Sequence, residues 1–384
     1  MQLIHVLFPI IFTIIFGIII YSLLEKDKIL LSLGFSLIFI FVSIFSNFLV
    51  LRLIEYSASV DTEIWSGRIE HIEHKEEWDE WIPPKKEQYT ETDINGNKIK
   101  KERTIPGYWK HHYAENIIKT SDNGTMYVDS SPDGLTKFND SYPNSNEELS
   151  LYYKLGQPTA SFHKYENKLQ FSKSLFKKES LDSSLIENLP EYPNKINKDL
   201  TITRLIGDVP NFNQANNLLN EWNSKLNATV IDEETGKKKS LKEVNVIFVN
   251  IGDLPIEYGY ALEEKWEGGN KNDFIICFSF VNNKINWVYP FSWTEVEILK
   301  LEIRDLMLDK KEINDFSNVI NETCELIMNK FNRKEMADYN YIKYEYSMRS
   351  YILSFLLNLI LLIIGVFLTN TCKYDSYNKY KRYY

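Results

Sequence analysis

The chain has little cysteine, little histidine and no surplus of positive charge, and each shortage removes a class of function. Three cysteines in 384 residues are too few for a disulfide framework. Cys277 sits in an apolar run and reads as a buried structural thiol. Cys324 falls in a helical pattern, and nothing pairs it with Cys277. Cys372 closes an apolar run and reads either as an acylation site or as a passive helix end. Lys and Arg number 44 against 53 Asp and Glu, a net of -9. Residues 55–348 hold 36 of the basic and 50 of the acidic side chains, a net of -14. Such a surface repels nucleic acid and anionic lipid heads, which argues against nucleic-acid binding. No G-x-S-x-G, H-E-x-x-H, P-loop or Rossmann fingerprint occurs. Asp129-Ser-Ser-Pro-Asp133 sets serine beside carboxylates, but that composition spells a turn.

Charge is also missing from long stretches. Residues 1–24 and 29–51 carry no charged side chain, and only Glu25, Lys26, Asp27 and Lys28 separate them. Each run is long enough to cross a hydrocarbon core of roughly 30 Å at about 1.5 Å per residue. The sequence therefore predicts transmembrane helices over 1–24, 29–54 and 351–371, the first two as a hairpin. The first run lacks a basic n-region and an A-x-A-like exit, so it reads as a retained span. Lys373, Lys379, Lys381 and Arg382 face only Asp375 in the tail, which places 372–384 in the cytoplasm by the positive-inside rule. Three spans then put the 55–348 region outside the cytoplasm in a multi-pass integral membrane protein. The spans are poor in ionisable groups, with His5, Asn47 and Asn358 the notable polar residues, so anchoring is preferred over a transport pathway.

Between the second and third spans two units are expected. Residues 55–180 read as a β-rich antiparallel unit. Apolar and polar residues partly alternate over 62–82, the segments 108–113 and 125–128 are strand-like, and turn signals stand at 93–96, 106–107, 122–124 and 132–134. Residues 140–147 read as a polar loop, and 181–204, with Pro190 and Pro193, as a linker. Residues 205–335 read as an α/β sandwich. Helical spacing covers 213–226, 258–266, 294–308 and 315–331, and strands are expected at 244–249, 274–280 and 284–289. The last of those helices is expected to continue through 339–346 into the third span. The fold class is thus a membrane protein with α-helical spans and an α+β soluble region.

In the second unit the run Tyr258-Gly-Tyr-Ala-Leu-Glu-Glu-Lys-Trp-Glu-Gly-Gly-Asn-Lys-Asn-Asp273 precedes an apolar strand. It resembles the TPM domain family over roughly residues 205–335. Family members carry a W-G-x-G-like turn at this place; here Glu267 stands where glycine is usual, and Asn272-Asp273 reverses the usual Asp-Asn order. The resemblance implies an extracytoplasmic domain tethered by a membrane helix. It further implies either an assembly, repair or accessory role or a cation-dependent phosphatase.

Two constellations offer ligands. After Gly268-Gly269, the oxygens of Asn270, Asn272 and Asp273 would suit Ca²⁺ or Mg²⁺, although one carboxylate is few for a hard cation; a capped turn is the plainer reading. His71 and His74, with His111 and His112, could gather around a metal if their two segments pair. Residues three apart on a strand face opposite sides, and Glu70, Glu73, Glu76 and Glu77 mark a solvated face instead. Sequons stand at Asn123, Asn139, Asn227 and Asn321. The function expected is an acidic extracytoplasmic domain that contacts other membrane or envelope proteins, with aromatic segments 78–81 and 108–113 as contact surface; burial of those aromatics within the β-rich unit is the plainer reading. A divalent-cation-dependent hydrolase is the alternative.

Overall fold

The structure is a computed structural model that describes residues 3–24, 29–92, 96, 98–128, 143–172, 186–187, 189–197, 199–233 and 235–381, with side chains described over 5–371 of these. The turn at 25–28, most of the 93–96 turn, the 129–133 and 132–134 motifs, Asn139, Cys372 and the tail side chains lie outside the described residues. The chain divides into two compact units, one of Met1–Asp61, Tyr165–Lys177 and Glu335–Tyr384, the other of Thr62–Lys164 and Lys178–Lys334.

The first unit is built on three helices long and apolar enough to cross a membrane: α1 (Leu3–Leu23), α2 (Ile29–Ser59) and the C-terminal helix (Met348–Lys381). They pack as a bundle through aromatic rings. Phe16 stacks on Phe39 at 4.5 Å, and Phe8 and Phe12 both meet Phe355 edge-on. Gly365 lets the C-terminal helix approach Phe16 and Phe39 closely. These contacts make α1 parallel, and α2 antiparallel, to the C-terminal helix. Two interhelical pairs, Ser43 to Asn358 and Ser354 to Asn47, are buried between α2 and the C-terminal helix. Such bonds are favoured where lipid supplies no alternative partner.

The second unit opens with β1 (Val60–Lys75), β2 (Trp78–Ile82), β3 (Lys85–Thr92), β4 (Lys98–Ile105), β5 (Tyr108–His112), β6 (Glu115–Thr120) and β7 (Gly124–Tyr127). A short helix α3 (Asn146–Tyr152), capped by Ser145, and β8 (Pro158–Glu166) follow. One sheet has the order β7-β6-β1-β8. Its apolar face carries Ile69, Ile118 and Met126 onto Leu149 and Tyr153 of the α3 region. The residues expected as a polar loop thus include the start of a helix. The remaining strands form two ribbons in series, β2 with β5 and β3 with β4, which build an arm.

The α/β part comprises β9 (Leu205–Ile206), α4 (Phe212–Leu226), β10 (Thr229–Ile231), β11 (Lys238–Ser240), β12 (Asn245–Asn250), α5 (Glu257–Lys265), β13 (Asp273–Val281), β14 (Lys284–Ser292), α6 (Ile298–Leu308) and α7 (Ser317–Lys330). The main sheet has the order β14-β13-β12-β9, with β9, β12 and β13 parallel and β14 antiparallel. Alternate residues feed two cores. Val246, Phe248, Phe274, Ile276 and Phe278 pack under α4, α6 and α7. Ile247, Val249, Ile275 and Cys277 pack under α5 and Leu189. Covering both faces buries every residue of β12, which is why that strand reads as a continuous apolar run. The β13–β14 turn places Asn282 and Asn283 at φ 51° and 63°, the left-handed pair that a tight hairpin needs.

Two expectations fail. Helix α7 does not run on into the third span. It stops at Lys330, Phe331 turns extended (φ -64°, ψ 131°) and buries its ring, and a separate 3-10 turn forms at Met336–Tyr339. The described part of the expected linker is packed rather than free: Leu189 is buried, and Lys265 Nζ and Trp266 Nε1 donate to the carbonyls of Leu189 and Pro190 at 2.7 and 3.0 Å.

Candidate functional site

The turn between α5 and β13 is a helix stop. Glu267, Gly268 and Gly269 have φ of 49°, 77° and 75°, and Gly268 N–H reaches back to Glu263 O at 2.8 Å. Glu267 therefore holds a left-handed φ at a cost in backbone strain. A Cβ on Gly269 would stand 2.5 Å from Ile275 Cδ1 and 3.1 Å from Asp273 Oδ2, so this backbone lies directly against Asp273.

Asp273 begins β13 and is 1% exposed. Its Oδ1 accepts from Asn245 Nδ2 at 2.8 Å, its Oδ2 from Asn270 N–H at 2.7 Å, and Tyr192 OH bridges both oxygens at 3.0 and 2.8 Å. Burial pushes this carboxyl up to about 7, against the pull of those donors. Asn245 links this carboxyl to a cation: its Oδ1 accepts from Arg204 Nε at 2.7 Å. The other two ends of that guanidinium donate to Asn220 Oδ1 and Ser66 Oγ, both at 2.6 Å. Arg204 is 1% exposed, and desolvation lowers its pKa to about 10. The Tyr192 hydroxyl is pushed well above its ordinary value by burial beside Asp273. A buried cation and a buried carboxyl, joined through one amide, thus tie β9, α4, β12, β13 and β1 together.

Next to this network lies a cleft of about 110 Å³, lined by Trp65, Ser66, Asp122, Glu243, Asn272 and Arg333 among others. Arg333 bridges Glu243 at 2.9 Å and also binds Glu63. Glu63 is 1% exposed and further accepts Trp65 Nε1 at 3.0 Å; its carboxyl is raised by burial, with Arg333 pulling the other way. Thr159 Oγ1 donates to Asp122 Oδ1 at 2.5 Å. Gly67 makes room for that turn, since a Cβ there would meet Asp122 Oδ1 and Ser121 Oγ at 2.5 Å.

The expected ligand sets are dispersed. Asn270 turns its Nδ2 to Tyr192 OH at 2.9 Å, whereas Asn272 turns its Nδ2 to Ile64 O at 2.8 Å and lines the cleft. A cation at Asp273 would have to displace donors already seated on both oxygens. The two histidine segments do not pair: His71 and His74 lie on β1 opposite Lys119 and Asn116, while His111 and His112 lie on β5 opposite Asp79 and Trp78. His74 bonds to Asn116, His111 to Asp79 and His112 to Glu80. Among the described residues no group of three His, Cys, Asp or Glu side chains is placed to hold a metal ion. Cys277 and Cys324 are both buried, and desolvation raises both thiols. The Asn227 amide is buried and donates to Asn223 O and Val244 O, which leaves that sequon no free nitrogen.

Sequence reasoning missed Arg204, Tyr192, Asn245, Asp122 and Arg333. Only Arg204 carried a local signal, an arginine between apolar residues in Ile-Thr-Arg-Leu-Ile. It also missed β3 and β4, whose sixteen residues are all exposed.

The arm is the second candidate surface. Trp81 faces Trp109 across the β2–β5 ribbon at 5.3 Å, and Trp78 stacks on His112 at 4.4 Å. Trp78, Trp81, Tyr108, Trp109 and Tyr113 are exposed, up to 78% for Tyr113. Beyond them, β3 and β4 are held by Lys86–Glu102, Glu87–Arg103 and Glu91–Lys101 pairs. No protein-family model, curated protein or solved structure matches the chain.

Proposed function

We propose that this is a membrane-anchored interaction protein whose arm, β2 to β5, docks onto the extramembrane region of another membrane or envelope protein. The arm carries the reading. A two-stranded ribbon is marginal in water by itself, and this one exposes five large aromatics at its base where surface chemistry alone would select polar residues. Residues 78–112 hold seven basic and six acidic side chains, a net of +1, on a region whose net is -14. An arm of that sign suits a partner with an acidic surface, and its free strand edges suit pairing with an extended segment. The three apolar helices serve as the anchor, and the basic tail supports a cytoplasmic C-terminus with the arm outside.

The test places a photocrosslinking amino acid at Trp109 of the full chain in native membranes. A crosslink to one membrane protein that weakens with salt, and is lost on Trp81→Ala with unchanged thermal unfolding, supports the reading. Crosslinks to lipid alone, to a second copy alone, or untouched by Trp81→Ala refute it.

A further inference from the structure

A second cleft lies within the helical unit, beside the end of α2. It measures about 360 Å³ and is lined by Arg52, Glu55, Tyr56, Glu166, Lys168 and Asn340 among others, a size within the roughly 300–1,000 Å³ of small-ligand sites. Its walls are fixed. The buried Asn167 donates its N–H to Ser59 O at 2.6 Å and its Nδ2 to Asp61 Oδ2 at 2.9 Å, and Glu345 N–H donates to Phe171 O at 2.8 Å. These bonds clamp the 165–177 segment between the end of α2 and the stretch that leads into the C-terminal helix. The depth of the cleft follows from the sequence. The charge-free run of α2 ends at Leu51, so Arg52 stands where hydrocarbon gives way to head groups, and its guanidinium still lies over the Phe48 ring at 5.2 Å. Tyr56 and Tyr341 are 70% and 75% exposed, as in the aromatic belt of a membrane interface.

The lining charges select the ligand. Arg52 and Lys168 stand against Glu55 and Glu166, so the lining carries both signs in balance. Glu55 is engaged on both oxygens, by Tyr346 OH and by Arg52 Nη1 at 2.9 Å, and Lys168 Nζ donates to Asn340 Oδ1. Two groups keep reachable capacity. The Arg52 side chain is 65% exposed, and its Nε and Nη2 make no hydrogen bond among the described residues. The Glu166 side chain is 59% exposed and lies 3.8 Å from Lys168 Nζ, beyond hydrogen-bond reach. A guanidinium fork suits a phosphate, and a carboxylate suits an ammonium that still has N–H groups to give. A purely anionic head group would face both carboxylates, and a quaternary ammonium has no N–H to donate. We infer that the cleft binds the head group of an ethanolamine phospholipid, its phosphate on Arg52 and its primary ammonium on Glu166. Glu55, held by Tyr346, positions the guanidinium. The inference rests on the reading of the three helices as a membrane anchor.

Membranes holding the full chain are first washed with alkaline carbonate, which reads the anchor separately from the lipid site. The chain is then purified in detergent. Native mass spectrometry is recorded with phosphatidylethanolamine, phosphatidylcholine and phosphatidylglycerol of identical acyl chains at equal concentration. The ethanolamine lipid is expected to bind about tenfold more tightly than either of the others. Glu166→Gln should bring it down to the level of the choline lipid and leave choline-lipid binding unchanged, a pattern that loss of fold would not give. Arg52→Gln should weaken the ethanolamine and choline lipids alike, by about tenfold; Glu166→Gln, at an exposed carboxylate, keeps the test decisive if Arg52→Gln fails to fold. Equal binding of the three lipids, preference for the glycerol lipid, or an ethanolamine preference that survives Glu166→Gln overturns the inference and leaves the anchor standing. Release of the chain by carbonate overturns both.

Discussion

Arg204 offers the sharpest test of how the α/β part is held together. Arg204→Met keeps the length and apolar stem but removes three donors. Asn245 Oδ1, Asn220 Oδ1 and Ser66 Oγ, at 2.6–2.7 Å, lose their partners, and Asp273 loses the cation that faces it through Asn245. Breaking a buried charge pair from one side costs about 3–5 kcal/mol, a large part of the roughly 5–15 kcal/mol that holds a domain together. Hydrogen exchange on the full chain in detergent, followed on peptides from β12 and β13, should then show opening ~10²–10³-fold more frequent. Arg204→Lys should recover little, because one ammonium cannot reproduce three fixed donors. The decisive measurement is the double variant. With Asp273→Asn added at about pH 8, where the carboxyl is ionised, the combined loss should fall short of the sum by about 1–2 kcal/mol. A loss below about 1 kcal/mol for Arg204→Met, or strict additivity, would show that the two charges do not compensate each other.

The pH dependence has a defined sign. Because burial holds the Asp273 proton up to about 7 while an unfolded aspartate releases it near ~3.9, its contribution is complete below about pH 4 and lost as pH rises through about 7. Asp273→Asn should flatten that slope in denaturation curves. Glu267→Gly should raise the melting temperature by relieving a left-handed φ of 49°, a gain of about 1 kcal/mol. Gly207→Ala would put a Cβ 2.1 Å from Asn250 O at φ 86° and should cost more than about 2 kcal/mol. Gly124→Ala, also left-handed but open on all sides, should cost only about 1 kcal/mol. Asn358→Ala should lower the thermal stability of the helix bundle in detergent by about 1 kcal/mol, leaving exchange in β12 unchanged.

The apolar elements were legible because their causes are local. Ala215, Leu219 and Leu226 recur at helical spacing in 213–226, and the helix runs Phe212–Leu226; the strand expected at 274–280 runs Asp273–Val281. The three charge-free runs became three helices of membrane-crossing length. Composition left open whether the aromatics of 78–81 and 108–113 are exposed or buried in the β-rich unit; five of them are exposed. The arm beyond them was not legible, since strands exposed on both faces show no alternation; cross-strand ion pairs shape them instead. Nor was the network. Tyr192 meets Asp273 across 81 residues and Arg204 meets Ser66 across 138, and no window on the chain contains both ends. At Asp273 a capped turn is the plainer sequence reading and a cation ligand the alternative; its oxygens accept from the Asn245 amide, the Asn270 backbone N–H and the Tyr192 phenol.

The antiparallel seam between α2 and the C-terminal helix bears on how the protein is made. Ser43 and Asn47 leave the ribosome some three hundred residues before their partners Asn358 and Ser354. During that interval two polar side chains sit in the early hairpin with nothing across the seam to receive them. A chain that lacks the last helix therefore lacks both polar partners of α2. Arrival of the last helix supplies both partners at once and closes the seam.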